Sequence, residues 1–283
     1  MNFQAFVQDI RLNRWPVFGV QVYEQGALCE QYGDVQGRHP IYSCTKTLLA
    51  LAIGMAADEG RMDIHKPLLS CLPEKVIRGM SEQQKSIYAA LPLQRLMCMS
   101  VAGYPFRLKG EGSWLREALA YPVSPERTFD YSNVSAYLTA VAATEALGED
   151  VYGYLKRKLL SPLHIENVPC QRCPDGYFYG ATGMELSVEE LSRVGLLLYQ
   201  QGVYEGNRLI SEGFLSQMTN VQQPTKEGGY GYFLWKYRDG FSINGKWGQK
   251  CYILPGEGKM ITFLSHCEED TLPLKQSMER NLL

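Results

Sequence analysis

The chain has 283 residues, of which 45% are hydrophobic and 20% charged, and its net charge is −2. This is the composition of a globular protein with one large domain or two smaller ones, long enough to bury a sizeable core. The charge balance excludes a basic field that would attract nucleic acid or an anionic membrane, so neither is expected as a partner.

The N-terminal segment and the cysteines indicate a cellular compartment. Residues 1–20 contain no long apolar run, and the longest apolar stretch, residues 48–57, is too short to cross a bilayer. We therefore expect no export signal, a cytoplasmic location and reduced thiols. Cys170 and Cys173 form a single C-x-x-C pair with only His164 nearby. These are too few ligands for zinc, so two free thiols and no metal are predicted.

In chain order, the first predicted elements are a hairpin and a long helix. Residues 17–23 and 27–32 alternate apolar and polar side chains on either side of Glu24-Gln25-Gly26, which predicts a β-hairpin. The apolar helix that follows Ser43 is predicted to end at Gly60, because glycine commonly follows the last helical turn.

The middle of the chain, from about residue 68 to residue 181, is dominated by turn residues and helical patterns and has no strong strand signal. Its predicted helices cover residues 91–99, 113–120, 135–147 and 151–160. A further helix is predicted from Ser187 to Gln200, where Ser187 and Glu190 form a capping box, and another at residues 211–219.

Strand patterns return near the C-terminus. The predicted strands are residues 230–237, 241–244, 250–254 and 260–265, the last two forming a pair. Because strands lie at both ends with helices between them, we predict an α/β (α+β) fold with an antiparallel sheet built from both termini and flanked by helices. The sheet domain is expected to comprise residues 1–67 and 182–283, and residues 68–181 are expected to form a mainly helical inserted lobe.

The first chemical pattern is Ser43-Cys44-Thr45-Lys46, at the break between a strand-like run and the helix. Residues three apart lie on one face of a helix, so Lys46 can reach back to the Ser43 hydroxyl. The positive end of the helix dipole and partial burial both lower the pKa of a lysine, which would make Lys46 a base for a serine nucleophile. The alternative is an ordinary N-cap serine, because a chain of this composition contains about one such pair by chance.

The second pattern, Tyr131-Ser132-Asn133, favours the chemical interpretation. It lies just before a helix predicted to start near Val134, so the tyrosine can present its phenol beside Lys46. The pKa of a phenol, roughly 10, falls beside a cation, and a phenolate can shuttle protons. Asn133 offers a carbonyl and an amide to orient the lysine or the substrate. A plain turn and helix cap is the alternative.

The third pattern is the segment 243–249, Ile-Asn-Gly-Lys-Trp-Gly-Gln. Gly245 and Gly248 flank a short strand edge where the backbone can come close to a substrate. A glycine bulge without a function is the alternative.

With these three patterns in this order, the chain resembles the serine β-lactamase and penicillin-binding-protein superfamily. Within it, the chain is most similar to the branch of class C β-lactamases, esterases and 6-aminohexanoate-oligomer hydrolases. The matching segments are SCTKTLLALAIGMAADEGRMDIHKPL, LQRLMCMSVAG, PERTFDYSN, LLSPLHIEN, GATGMELSVEELSRVGLLLYQQGVYEGNRLIS and INGKWGQKCYILP. The resemblance implies a β-lactamase/transpeptidase-like fold and a reaction without metal or cofactor.

The resemblance also implies a role for each residue of the patterns. Ser43 would be the acylated nucleophile and Lys46 its proton-transfer partner. Tyr131 would be the general base that becomes the acid for the leaving group, and Asn133 would position the groups around it. The oxyanion hole would consist of the backbone N–H groups of Ser43 and Lys246. The residues expected to line the substrate cleft are Ile243, Asn244, Gly245 and Gln249.

One departure from the family pattern bears on the substrate. Where penicillin-recognising relatives carry Lys-Thr-Gly or His-x-Gly, this chain has Ile-Asn-Gly at 243–245. The missing cation is the one expected to attract a β-lactam carboxylate, unless Lys246, Lys250 or Arg172 replaces it. We therefore predict a serine hydrolase acting on a small ester, amide or peptide, rather than an efficient β-lactamase. The alternative is a slow-turnover or non-catalytic, sensor-like binding protein with the same fold.

Overall fold

The computed structural model describes residues 1–283, and a six-stranded antiparallel sheet lies at its centre. The strands of the chain are β1 (Val17–Glu24), β2 (Ala27–Gly33), β3 (His39–Pro40), β4 (Glu185–Leu186), β5 (Val203–Tyr204), β6 (Asn207–Arg208), β7 (Trp235–Tyr237), β8 (Gly240–Gly245), β9 (Gln249–Leu254) and β10 (Lys259–Ser265). The order in the central sheet is β2-β1-β10-β9-β8-β7, so the N-terminal hairpin pairs with the C-terminal strands. This confirms the predicted sheet built from both termini.

Eleven α-helices surround the sheet and fill the middle of the chain. They are α1 (Phe3–Leu12), α2 (Thr45–Asp58), α3 (Glu74–Ile77), α4 (Glu82–Ala89), α5 (Gln94–Met97), α6 (Trp114–Ala120), α7 (Asn133–Leu147), α8 (Val151–Leu155), α9 (Val188–Tyr199), α10 (Glu212–Thr219) and α11 (Leu272–Leu282). Shorter 3-10 segments lie between several of them. None of the helices is both long and apolar enough to span a membrane.

Local sequence signals explain several of these boundaries. The β1–β2 hairpin closes through Gln25 and Gly26, whose φ angles of 50° and 80° are those of the left-handed turn that suits the twist of paired strands. The capping box of Ser187 and Glu190 is present at the start of α9. Gly60, with a φ of 68°, follows the end of α2 as predicted.

The two faces of the sheet belong to different parts of the core. On β10, Ile261 and Phe263 pack with the terminal helices α1 and α11, whereas Met260 and Leu264 face the main core. The sequence analysis did not predict the terminal helices, although the buried residues of α1 have helical spacing. These residues are Phe3, Phe6, Val7 and Ile10.

The main core contains α2 and α7, which are buried on nearly all sides. Such helices are held by the elements around them, and their first turns are correspondingly fixed in position. The same buried cluster includes residues of the central sheet and residues from the range 68–181. The starts of α2 and α7 carry the Ser-x-x-Lys and Tyr-Ser-Asn patterns.

One predicted strand is mostly a loop. Of residues 230–237, only Trp235–Tyr237 belong to the sheet. Phe233 has a φ of 53°, and Tyr230 forms isolated bridges with Gln223 and Trp235, so the segment turns back on itself. Its aromatic residues are buried by packing on one another and on the lobe, which produces a strand-like composition without a strand.

Candidate active site

Ser43 lies in a tight turn immediately before α2. The turn is a 3-10 segment, Tyr42–Cys44, in which the Cys44 N–H donates to Ile41 O at 3.1 Å. Tyr42 has a φ of 46°, a conformation that non-glycine residues rarely adopt. The hydroxyl is therefore carried on a strained turn that the buried helix holds in place, an arrangement frequent at functional sites.

The end of β8 packs directly against this turn, and Gly245 makes the approach possible. A Cβ atom on Gly245 would lie 2.4 Å from Ile41 O and 3.1 Å from the Cys44 sulfur. The close approach predicted at this glycine is therefore an approach of β8 to the turn that carries Ser43, within the same chain. It brings the strand edge next to Ser43.

Lys46 is the centre of a buried polar cluster and is only 1% exposed. Its Nζ lies 2.9 Å from Ser43 Oγ, 2.8 Å from Asn133 Oδ1 and 2.8 Å from Ala181 O. Burial lowers the pKa of Lys46 to about 7, because the apolar surroundings disfavour the charged amine. No carboxylate lies within ion-pairing distance to oppose this effect.

Asn133 is the first residue of α7 and is held from both sides. Ser132 caps the helix by accepting the Val134 N–H at 3.0 Å, and its own hydroxyl donates to Pro105 O at 2.6 Å. The Asn133 N–H donates to Phe106 O at 2.8 Å. The Tyr-Ser-Asn pattern therefore serves two purposes. Ser132 caps α7, and the Asn133 side chain is left free to bind Lys46.

Tyr131 is fixed among aromatic rings beside the lysine. Its ring lies between Phe106 and Trp235, with centroid separations of 6.4 and 5.8 Å, and Tyr230 meets it edge-on at 6.1 Å. Lys46 Nζ is 5.1 Å from the ring centroid. The structure thus brings together Ser43, Lys46, Tyr131 and Asn133.

The electrostatics of Tyr131 differ from the sequence-based expectation. Burial raises the pKa of Tyr131 to about 12, although hydrogen bonding with the Ser43 hydroxyl lowers it in part. The expectation was a pKa lowered by a neighbouring cation. It was wrong because burial of the phenol disfavours its charged form, and because Lys46, with a pKa of about 7, carries only about half a charge at pH 7.

Two of the four expected cleft residues are interior residues instead. Ile243 is 0% exposed and packs in the main core. Gln249 is 1% exposed, and its amide donates to Lys246 O and Ser265 O and accepts the Ser265 N–H. Asn244 is half-buried, with an Oδ1 atom that has no partner. The side chains of Ile243 on β8 and Gln249 on β9 therefore support the wall from inside the protein.

The predicted oxyanion-hole residues, Ser43 and Lys246, line one cavity of about 930 Å³. The loop that carries Lys246 includes Trp247 and Gly248, which both have positive φ angles. The Ser265 hydroxyl donates to Trp247 O at 2.8 Å and is within 3.2 Å of Gly248 O. Together with Gln249, Ser265 fixes the backbone of this loop.

Most residues of the cavity wall were not found by the sequence analysis. The lining consists of Tyr42, Ser43, Phe106, Arg107, Leu108, Lys109, Trp114, Asn133, Gln171, Tyr179, Thr182 and Lys246. The segment around Phe106 has no periodic pattern and no fixed spacing from the Ser-x-x-Lys residues, so nothing in the sequence connects it to them. Its place in the cavity follows from its hydrogen bonds to Ser132 and Asn133.

The C-x-x-C segment and the histidines lie outside this cluster. All eight cysteines are free thiols, and Cys173 is buried with its sulfur 3.6 Å from the Tyr137 hydroxyl. His164 pairs with Glu205 at 3.0 Å. No group of three or more His, Cys, Asp or Glu side chains is placed to hold a metal ion.

Comparison with known proteins agrees with the fold. Residues 17–276 match the model of the family described as Beta-lactamase, and the chain therefore belongs to this family. No sequence of a curated protein matches the chain significantly.

Several solved structures share the fold at low sequence identity. A β-lactamase from Sulfitobacter sp. EE-36 has a TM-score of 0.77 at 15% identity, over 99% of this chain and 96% of its own. A β-lactamase from Mycobacterium bovis has a TM-score of 0.71 at 17% identity, over 98% and 99%. A candidate 6-aminohexanoate-dimer hydrolase from Bacillus anthracis has a TM-score of 0.75 at 18% identity, over 95% and 79%. The chain thus has the fold of β-lactamase-like hydrolases.

Proposed function

We propose that the protein is a serine hydrolase that forms an acyl-enzyme on Ser43 and releases the acyl group to water. The observation that carries the proposal is the buried amine of Lys46, which lies 2.9 Å from the Ser43 hydroxyl and has a pKa lowered to about 7. A lysine with this pKa is substantially neutral at neutral pH and can accept the serine proton.

The contacts of Lys46 determine where its lone pair points. A neutral amine has two N–H donors and one acceptor lone pair. When the two donors bind Asn133 Oδ1 and Ala181 O, the lone pair is left for the Ser43 hydroxyl. Asn133 then contributes to the reaction by orienting the base.

Acylation follows from this arrangement. Ser43 Oγ bonds to the substrate carbonyl carbon while its proton moves to Lys46, and the backbone N–H groups of Ser43 and Lys246 stabilise the oxyanion. The bond to the leaving group then breaks. The neutral phenol of Tyr131 donates a proton to the leaving group and regains one from the Lys46 ammonium, a transfer favoured by pKa values of about 12 and about 7.

Deacylation repeats the steps with water. A water molecule attacks the acyl carbonyl, its proton moves to Lys46, and the Ser43–acyl bond breaks as the serine oxygen takes that proton back. The products are the acid and the free alcohol or amine. No metal or cofactor takes part in the proposed steps.

The substrate proposed is a small ester, amide or peptide. A cavity of about 930 Å³ is within the usual size of a small-molecule site. Because the strand position of the family's β-lactam-binding cation is occupied by the buried Ile243, esterase or amidase activity is favoured over efficient β-lactam hydrolysis. Linear amides belong in the substrate panel, since one structural neighbour is named for a 6-aminohexanoate dimer.

Covalent labelling tests the nucleophile. Wild type, Ser43→Ala and Lys46→Ala would each be treated with a fluorophosphonate and with a β-lactam, and adducts read by intact mass. We expect an adduct on wild type, none on Ser43→Ala, and labelling of Lys46→Ala slowed by a factor of about 10²–10⁴, the usual contribution of a general base. Equal labelling of wild type and Ser43→Ala would overturn the assignment.

A second candidate is a sensor-like protein that is acylated and releases the acyl group slowly. It is favoured by the raised pKa of Tyr131 if the phenol, and not Lys46, must activate the deacylating water, because a neutral phenol is a poor base. An adduct with an ordinary ester substrate that persists for hours would support the sensor. Turnover of p-nitrophenyl esters or linear amides at a steady rate would support the hydrolase.

A further inference from the structure

The charged residues of the active-site cavity all have the same sign. Arg107, Lys109 and Lys246 line it, and no Asp or Glu does. In the whole chain acidic residues slightly outnumber basic ones, 30 to 28, so this local excess is not a reflection of composition. Resting on the hydrolase function proposed above, we propose that Arg107 and Lys109 bind an anionic group of the substrate, a carboxylate held away from the scissile bond.

The loop that carries the two cations is attached to the catalytic helix. Pro105 O and Phe106 O accept hydrogen bonds from Ser132 and Asn133, at 2.6 and 2.8 Å. At its other end, the Trp114 indole N–H donates to Gly110 O at 2.7 Å. Leu108, between the two cations, is buried. The backbone of the loop is therefore anchored next to Asn133, and the exposed side chains of Arg107 and Lys109 extend from it along the cavity.

The three cations have no carboxylate of the protein to neutralise them. The protein contains fifteen ion pairs within 4.0 Å, and Arg107, Lys109 and Lys246 take part in none of them. Uncompensated cations in a concave site create a positive potential that attracts anions. Arg107 also acts electrostatically on the Tyr179 phenol, which hydrogen-bonds with Asn133, so its charge reaches the catalytic cluster.

The other side of the site does not supply this charge. Arg172 is bound to Asp150 at 2.8 Å, and neither Arg172 nor Lys250 lines the cavity. Of the three replacement cations that the sequence suggested, only Lys246 reaches it. The anion is therefore expected at Arg107 and Lys109, and not at the strand position of the buried Ile243.

The neighbours of the cations indicate the rest of the ligand. Phe106, which is 59% exposed, lines the same cavity as Trp114 and Tyr179, whose ring centroids are 5.1 Å apart. Aromatic walls beside a cationic group suit a carboxylate joined to an apolar or aromatic body. Such an anion can belong to the acyl group or to the leaving group of the substrate.

Two matched pairs of esters distinguish these sources. The acyl pair is mono-p-nitrophenyl glutarate, which has a free carboxylate, and the same p-nitrophenyl ester with that carboxylate converted to its methyl ester. The leaving-group pair is 3-acetoxybenzoic acid and its methyl ester. For each pair we would measure the ratio of kcat/KM for the acid to that for the neutral ester. We expect a ratio of about ten or more in one pair, falling as salt is raised from 0.05 to about 0.5 M because added ions screen the attraction.

Variants of Arg107 and Lys109 test whether the preference for the acid over the neutral ester comes from this loop. In the double variant Arg107→Gln/Lys109→Gln the ratio should fall about tenfold, and in Arg107→Lys/Lys109→Arg most of it should remain. The control is Lys75→Gln/Arg116→Gln, which removes two exposed, unpaired cations of the same lobe outside the cavity and should leave the ratio unchanged.

Three outcomes would overturn the proposal: a ratio near one in both pairs, a ratio unchanged in Arg107→Gln/Lys109→Gln, or an equal fall in the control. These failures differ from failure of the hydrolase assignment, which is read from fluorophosphonate labelling of Ser43. A wild type that is labelled on Ser43 but has no preference for the acids would refute the anion site alone.

Discussion

The two walls of the active-site cavity are constructed in different ways. On the helical wall, the starts of α2 and α7 bring buried side chains together, with Lys46 bound to Ser43 and Asn133. On the strand wall, formed by β8 and β9, the side chains of Ile243 and Gln249 point into the protein, and the backbone forms the surface. Chemistry depends on side-chain identity on the first wall and on backbone position on the second.

This difference predicts how each wall responds to mutation. On the helical wall a substitution removes a reacting or orienting group directly. On the strand wall a substitution acts only when it moves the backbone, as at Gln249, or when it removes room for the backbone, as at Gly245.

Replacing Lys46 by methionine should have the largest effect. Methionine fills a similar volume but cannot accept a proton, so kcat/KM should fall by roughly 10³–10⁴. The free energy of unfolding should not fall as strongly as the activity does. The reason is that burying an amine is itself unfavourable, and methionine removes that cost. Steady-state kinetics and chemical denaturation measure the two effects.

The pH dependence of the difference in stability between wild type and Lys46→Met shows whether Lys46 is buried with a lowered pKa. The pKa of Lys46 is about 7 in the folded protein against its ordinary value of 10.5, so the unfolded chain binds the additional proton between these pH values. The free energy of unfolding of wild type should therefore rise from pH 7 to pH 10, by up to about 1.4 kcal/mol per pH unit, relative to Lys46→Met. A difference independent of pH would mean that the amine is charged in the folded state.

Activity itself should depend on the protonation of Lys46. The base is neutral above a pH of about 7 and protonated below it, so kcat/KM should fall about tenfold per pH unit on the acid side and level off above pH 8. At pH 5 the expected loss is roughly a hundredfold. The profile is measured with a neutral ester, so that substrate ionisation does not contribute. A flat profile from pH 5 to 8 would exclude Lys46 as the base.

On the strand wall, Gln249→Ala should reduce activity by roughly ten- to hundredfold, because a displaced oxyanion-hole backbone loses much of its stabilising effect. Gln249 holds Lys246 O and both backbone groups of Ser265. The loss should appear mainly in kcat. Gln21→Ala is the control: Gln21 is also buried in the sheet and accepts a hydrogen bond from Tyr23, but lies away from the cavity. If both variants lose activity equally, the effect of Gln249 is only on stability.

The sequence was sufficient to predict the helical wall but not the strand wall or the cavity. Ser43 and Lys46 are three residues apart across the start of α2, so local geometry alone brings them together. Tyr131 and Asn133 join them through a contact between segments distant in the sequence, which spacing allowed but which the family resemblance made specific. For Ile243 and Gln249, the alternation of side chains along a strand shows which residues share a face of the sheet. It does not show which face is covered by other elements. In this protein both faces of the sheet are covered.

The pKa of Tyr131 could not be predicted for a related reason. Whether a phenol beside a lysine becomes more or less acidic depends on whether the lysine is charged, and that depends on how deeply both groups are buried. Burial at this site is produced by Tyr230 and Trp235, which belong to one segment that turns back on itself, and by Phe106 from a different loop. Sequence spacing contains no measure of it.

The smallest effect is expected at Ile243, and it tests the strand wall most directly. Ile243→Val removes one buried methylene group, so the free energy of unfolding should fall by about 1 kcal/mol. Because the side chain faces the core and only the backbone of β8 faces the nucleophile turn, kcat/KM and the preference for acidic esters should remain within about twofold of wild type. A kcat/KM reduced tenfold at unchanged stability would mean that this side chain contacts the substrate, as the sequence analysis first expected. The division of the site into a chemical wall and a backbone wall would then be wrong at its central position.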